Sequence, residues 1–195
     1  MCLIVVAHQV HPNYPLMLAA NRDEFRQRPT QRMHYWPQSN MLAGKDLQAG
    51  GTWFGVGQDG RWAALTNYRD GRAGTHKGPS RGQLCVDFLH QTQSAISFAN
   101  NISQQHFAGY NLLLWDGDEL IYFGNQTQPA PQVLAPGIYA LSNAHLDTGW
   151  PKVEKVKAGM QALLQQPQVA HQHLQAIMHN GQLAADHLYQ SQKVL

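Results

Sequence analysis

Two short runs, Leu3-Ile4-Val5-Val6-Ala7 and Pro15-Leu16-Met17-Leu18-Ala19-Ala20, are apolar throughout. A strand with one wet face alternates apolar and polar residues, because successive side chains point to opposite faces. Runs without that alternation are strands covered on both sides. They constrain the chain more than any other feature, because they require sheets held between other layers. His11-Pro12-Asn13-Tyr14-Pro15 is a turn with two prolines. A connection this short makes the two runs antiparallel neighbours, so the end of the second lies beside the start of the first.

The rest of the chain supplies strands and helices in blocks. Residues 30–52 show little periodicity and end in a loop, Ala49-Gly50-Gly51-Thr52. Residues 53–68 read as a hairpin turning at Asp59-Gly60, and residues 109–124 as another turning at Asp116-Gly117. Between them, residues 69–82 form a long loop rich in glycine and basic residues. Ser80 and Gln83 have the spacing of a capping box, predicting a helix over roughly 81–91 with Cys85 on its apolar side. A second helical stretch covers about 94–104. Residues 136–143 are a strand running into a loop. Pro151, followed by Val153, Val156, Met160, Leu163 and Leu164, predicts an amphipathic helix with proline in its first turn. The last thirty or so residues, rich in Gln and His, have weak helical character. No repeat or linker is visible, so a single domain over 1–195 is expected, of class α+β or layered sheets with helices outside.

Composition excludes several classes of function. Charged residues are only 13% of the chain and the formal net charge is +2, with no basic block. Nucleic-acid binding and attraction to a membrane surface therefore have little support. No segment approaches the length of about 18 apolar residues that a membrane span needs. LIVVA is too short for a signal-peptide core and no basic region precedes it, so a cytoplasmic location is expected. Two cysteines, Cys2 and Cys85, make no disulfide framework. His171, His173 and His179 lack zinc-site spacing, and no metal or other cofactor is expected.

The chemistry concentrates on a few residues. Cys2 directly follows the initiator methionine, and cysteine is small enough for that methionine to be removed. Removal would leave an α-amine, with a reference pKa of about 7.7–8.0, on the same residue as the thiol. A thiol with its own amine is a nucleophile with a built-in base. A retained Met1 would make that nitrogen an amide, and Cys2 would then read as a buried strand residue. Asn21-Arg22-Asp23-Glu24 ends the second run, which the antiparallel pairing brings beside Cys2. Arg22 there would favour the thiolate, and Asp23 would orient the amine. Strand alternation sends Arg22 and Asp23 to opposite faces, so both serve one site only where the strand twists or ends. The alternative is a surface ion-pair cluster. Asn67 and Asn143 each close an apolar strand after Thr or Ser, where an amide donor suits an oxyanion hole or a turn made with its own backbone. The loop residues Arg69, Arg72, Lys77 and Arg81 could meet an anionic group or simply be solvated.

Taken together, MCLIVVAH, LAANRDEF with Arg28-Pro29, AGGTWFGV, GRWAALTNYR, SRG at 80–82, YNLLLWD and LSNAHLDTGWPKV resemble the NRDE family. That family includes eukaryotic transport and Golgi organisation proteins, and the likeness runs to about residue 155. The family is similar to N-terminal-nucleophile hydrolases, especially the cysteine branch of bile-salt hydrolases and penicillin V acylases. The resemblance implies a four-layer αββα sandwich and hydrolysis of a non-peptide amide through an acyl-cysteine. It carries the nucleophile to Cys2, its support to Asp23 and Arg22, and the oxyanion side to Asn143 and Asn67. In the hydrolases two residues separate the arginine from the aspartate, whereas here they are adjacent. A late Tyr-Gly-Thr-Arg-Ser-Ser-Thr strand usual in the family is missing. The expected fold thus lacks its last C-terminal strands, leaving a sheet edge and the prospect of a homodimer. The expected partner is a small-molecule substrate. A non-enzymatic carrier of an apolar ligand such as haem or an acyl lipid, and an inactive structural remnant, stay open.

Overall fold

A computed structural model describes residues 2–25, 27–69, 78–102, 107–126 and 128–179. The chain is mixed α/β with antiparallel sheets. In chain order the first strands are β1 (Leu3–His8), β2 (Leu16–Asn21), β3 (Thr30–Trp36), β4 (Met41–Asp46), β5 (Phe54–Gly57) and β6 (Trp62–Asn67). Helices α1 (Gly82–His90) and α2 (Ala95–Asn101) follow, then β7 (Tyr110–Trp115), β8 (Leu120–Gly124), β9 (Gln132–Val133) and β10 (Gly137–Leu141). Helices α3 (Pro151–Leu163) and α4 (His171–Met178) end the described chain. The elements group into two compact units, one drawn from residues 1–23, 69–73 and 135–195, the other from 24–68 and 74–134.

The first unit is a three-stranded sheet, ordered β10-β1-β2, with α3 and α4. As the proline turn predicts, β1 and β2 are antiparallel, with Leu3 opposite Asn21 and His8 opposite Leu16. Every residue of β1 is buried, which is what a strand apolar on both faces requires. Leu3, Val5 and Ala7 pack with Val153, Val156 and Met160, the buried stripe of α3. His11 ties the β1–β2 turn down. Its Nδ1 accepts from the Asn13 N–H at 3.1 Å. That leaves the proton on Nε2, which donates to the Gln166 carbonyl at 2.9 Å.

The second unit is a seven-stranded antiparallel sheet in chain order, β3 to β9, with α1 and α2. Both predicted hairpins form, and Gly60 and Gly117 take the positive φ values (+85° and +103°) that their turns demand. Ala63, Leu65, Leu112, Leu114, Ile121 and Phe123 pack with Leu84, Cys85, Phe88 and Phe98 of the helices. The capping box does not form: Arg81 is the N-cap without a side-chain bond. Gln83 Nε2 instead donates to Asp87 Oδ1 one turn on, at 2.8 Å, so a side chain on its own helix has taken the amide. The β3–β4 hairpin had no sequence signal. β3 is a largely exposed edge strand, and a register shift between Gln31 and His34 breaks its alternation.

Two sequence motifs have structural reasons. Gly51 and Gly82 lie backbone to backbone: a Cβ at Gly51 would sit 2.6 Å from the Gly82 carbonyl carbon, and Thr52 N–H donates to the Gly82 carbonyl at 3.2 Å. Arg28 Nε donates to Asp46 Oδ2 at 2.7 Å. Burial pushes the Asp46 carboxyl up, but Arg28 and the N–H groups of Ala49 and Gln48 outweigh it and hold it below its ordinary value.

Candidate functional site around Cys2

Cys2 stands one residue before β1 and is half-buried. The β1–β10 pairing ends at Ile4 opposite Leu141, which leaves Cys2 and Asn143 just past the same end of the two strands. Across β1 and β2 the pairing ends at Leu3 opposite Asn21, so Arg22 follows β2 at the Cys2 end. The Ser142 hydroxyl donates to the Cys2 carbonyl at 2.7 Å and lies 3.3 Å from Asn143 Oδ1. The Arg69 N–H donates to the Asn143 carbonyl at 2.8 Å. Asn143, 8% exposed, is thus held at the same end of the sheet as Cys2. Arg22 is half-buried, and Asp23 is exposed just past the end of β2.

The loop from β10 to α3 is built to a tight specification. Asp147 has φ +56°, a conformation most residues avoid. It is held there because its N–H donates to the Ala140 carbonyl at 2.9 Å and its Oδ1 accepts from the Ala140 N–H at 2.8 Å. Lys157 Nζ completes the anchor, 2.9 Å from the same carboxylate oxygen. Trp150 is buried, and Pro151 begins the helix without an N–H to satisfy.

This loop delivers a residue that the sequence reading missed, Lys152. Its Nζ is buried with no hydrogen-bond partner among the described residues and lies 5.1 Å from the centre of the Trp150 ring. Burial lowers the amine to about 8, with the Cys2 thiol group opposing that shift and Arg69 adding to it. A signal was present in the sequence. Proline at the first helical position places the next residue in the first turn, where the helix dipole disfavours a cation.

The other predicted residues divide. Asn67 is exposed at the end of β6, in the second unit, opposite Tyr110. One strand position earlier, a buried polar line begins: Tyr122 donates to Asn111 Oδ1 at 2.9 Å, and the Asn111 amide donates to Thr66 at 3.3 Å. Glu24, the fourth residue of the Asn-Arg-Asp-Glu run, lies 4.0 Å from Arg28 as an ion pair of the second unit. Arg81 donates to the Gly109 carbonyl at 2.9 Å and braces the fold. Arg72 and Lys77 lie outside the described residues. Cys85 is fully buried in the core, and burial, then Asp87, pushes its thiol far up, which makes it unreactive. Among the described residues no group of three or more His, Cys, Asp or Glu is placed to hold a metal ion, and no helix is long and apolar enough to cross a membrane.

A family model described as Transport and Golgi organisation 2 matches residues 1–194. The Bos taurus protein named Transport and Golgi organization protein 2 homolog is 39% identical over 168 residues, covering 78% of this chain and 60% of its own. The Homo sapiens protein of the same name is 38% identical over the same lengths. An uncharacterised Saccharomyces cerevisiae protein is 32% identical over 134 residues, covering 64% of this chain and 42% of its own. The chain therefore spans about 60% of the length of the mammalian relatives it matches. With a match over nearly its whole length and relatives that close, the chain belongs to the Transport and Golgi organisation 2 family.

Proposed function

We propose that the chain is a cysteine N-terminal-nucleophile amidohydrolase acting on a non-peptide N-acyl amide, with the four-layer αββα architecture of that class. The burial of both faces of β1 and of β8 supports the layering. The observation that supports the chemistry is the hydrogen bond from the Ser142 hydroxyl to the Cys2 carbonyl, with Asn143 next in the chain at that end of the β1–β10 pair. Once Met1 is removed, the Cys2 α-amine takes the thiol proton and the sulfur attacks the amide carbon. Asn143 receives the oxyanion. The amine then delivers the proton to the departing nitrogen, leaving an acyl-Cys2 thioester. Water attacks the thioester, releasing the carboxylic acid and restoring the thiol. Asp23 positions the amine and Arg22 favours the thiolate.

The test pairs intact mass with turnover of an N-acyl amide panel. Wild type is expected to have lost Met1 and to turn over part of the panel. Cys2→Ala is expected to lose at least about 10³-fold in rate. Equal turnover by the two proteins would end this reading.

A second reading, a carrier of haem or an acyl lipid, has one observation in its favour. A groove of about 570 Å³ lies between β2 and α4, with Leu18, Leu174 and Met178 on its walls beside His171 and His179. Titration with haemin and with an acyl-CoA tests it, and no saturable binding would exclude it.

A further inference from the structure

We propose that the free edge of β2 is a strand-addition site, taking an extended peptide segment of a partner protein into the groove between β2 and α4. Such a site works with or without chemistry at Cys2. Four consecutive residues of β2, Leu18 to Asn21, line the groove. Successive side chains of a strand point to opposite faces, so a cavity that meets all four lies against the strand's edge. β2 is an outer strand of the β10-β1-β2 sheet, with β1 on one side and no described strand on the other. The register decides which backbone groups face that open side. The Gln9 N–H donates to the Pro15 carbonyl at 2.7 Å, which makes these two residues a hydrogen-bonded pair of the antiparallel ladder. Such pairs alternate along the strands. Met17, Ala19 and Asn21, opposite Ala7, Val5 and Leu3, therefore turn their N–H and C=O groups to β1. Leu18 and Ala20, opposite Val6 and Ile4, turn theirs away from β1, towards the groove. The other wall is one stripe of α4, His171, Leu174, Gln175 and Met178, at helical spacing. Asn21 Nδ2 donates to the Met178 carbonyl at 2.9 Å and fixes the distance between strand and helix.

An occupant must offer amide donors and acceptors to Leu18 and Ala20, and apolar side chains to Leu174 and Met178. An extended peptide does both, whereas an acyl chain does only the second. The size agrees as well. Strand rise, strand spacing and sheet spacing give about 160 Å³ per strand residue, so the groove of about 570 Å³ takes about three or four residues, the length of edge that lines it. The edge is also undefended. β3, an outer strand of the other sheet, carries Arg32 and a register shift, both of which discourage strand addition. β2 has no charged residue, no proline and no shift.

The test uses the full chain and a fluorescein-labelled hexapeptide of alternating Val and Thr, read by fluorescence anisotropy. Saturable binding with a Kd below about 1 mM is expected. Two N-methylated forms of the peptide, each blocked at the amides of one edge only, identify the bonding. One form should bind like the parent and the other at least about tenfold more weakly. Ala20→Pro removes an N–H that faces the groove and none that bonds to β1, so it should fold and lose at least about tenfold in affinity. Gln175→Trp, at an exposed position on the α4 wall, should lose binding by filling the groove. Circular dichroism confirms that each variant is folded. No saturable binding, equal effects of the two methylations, or wild-type affinity in a folded variant overturns the proposal. So does a wild-type dimer in sedimentation velocity that Ala20→Pro converts to monomer, because the edge is then taken by a second copy of this chain.

Discussion

Lys152 illustrates what burial does to a single cation. Its folded amine sits at about 8, below the 10.5 of an ordinary lysine. Between those two values the unfolded chain binds a proton that the folded chain does not, so stability rises with pH across that window. Below about pH 8 both states are protonated and the full cost of burying the charge is present. Lys152→Met is therefore expected to be more stable than wild type at pH 7, by on the order of 1 kcal/mol or more. The gain should shrink as pH rises from 8 towards 10.5, which thermal melts across that range would check. A gain independent of pH would mean that the methionine simply packs better. The one cue in the sequence was its place directly after Pro151, in the first turn of α3. A lysine one place after proline otherwise reads as an ordinary polar residue of an amphipathic helix.

At the scale of elements, the most legible pieces were those whose signal is local. The Asp-Gly hairpins and the α3 stripe follow from turn chemistry and period, and the structure forms them. The β3–β4 hairpin was illegible because an exposed edge strand with a register shift keeps no regular apolar face. The failed capping box shows a motif losing to a competing bond on the same helix. The contact between Gly51 and Gly82 makes a sharper prediction. A Cβ at Gly82 would lie 2.9 Å from the Thr52 carbonyl oxygen, a backbone atom that cannot rotate away. Gly82→Ala should cost about 1–3 kcal/mol in denaturant melts. Gly149→Ala, where a Cβ meets nothing within 4 Å, should stay within about 0.5 kcal/mol of wild type. Equal effects at the two sites would show that the backbone contact does not matter.

At the scale of the whole molecule, the first unit is assembled from parts far apart in the chain, residues 1–23, 69–73 and 135–195. Removing residues 135–195 takes away β10, α3 and α4, and with them the side chains that cover Leu3, Val5 and Ala7. The β1 amides of that shortened chain are expected to exchange hydrogen within about tenfold of the unfolded rate; protection left at the full-length level would contradict this account. The same topology separates what sequence determines from what tertiary structure decides. The chain by itself determined that β1 is covered on both faces, that β2 returns beside it, and that Arg22 and Asp23 reach the Cys2 end, because periodicity and a short turn are local properties. It did not determine that β10 would be the other neighbour of β1. The bond from Ser142 to Cys2 joins residues 140 apart in sequence. Periodicity says which faces a strand must bury but not which partner will bury them. That partner, and with it the placing of Ser142 and Asn143 at the Cys2 end of the sheet, was chosen by packing among distant segments.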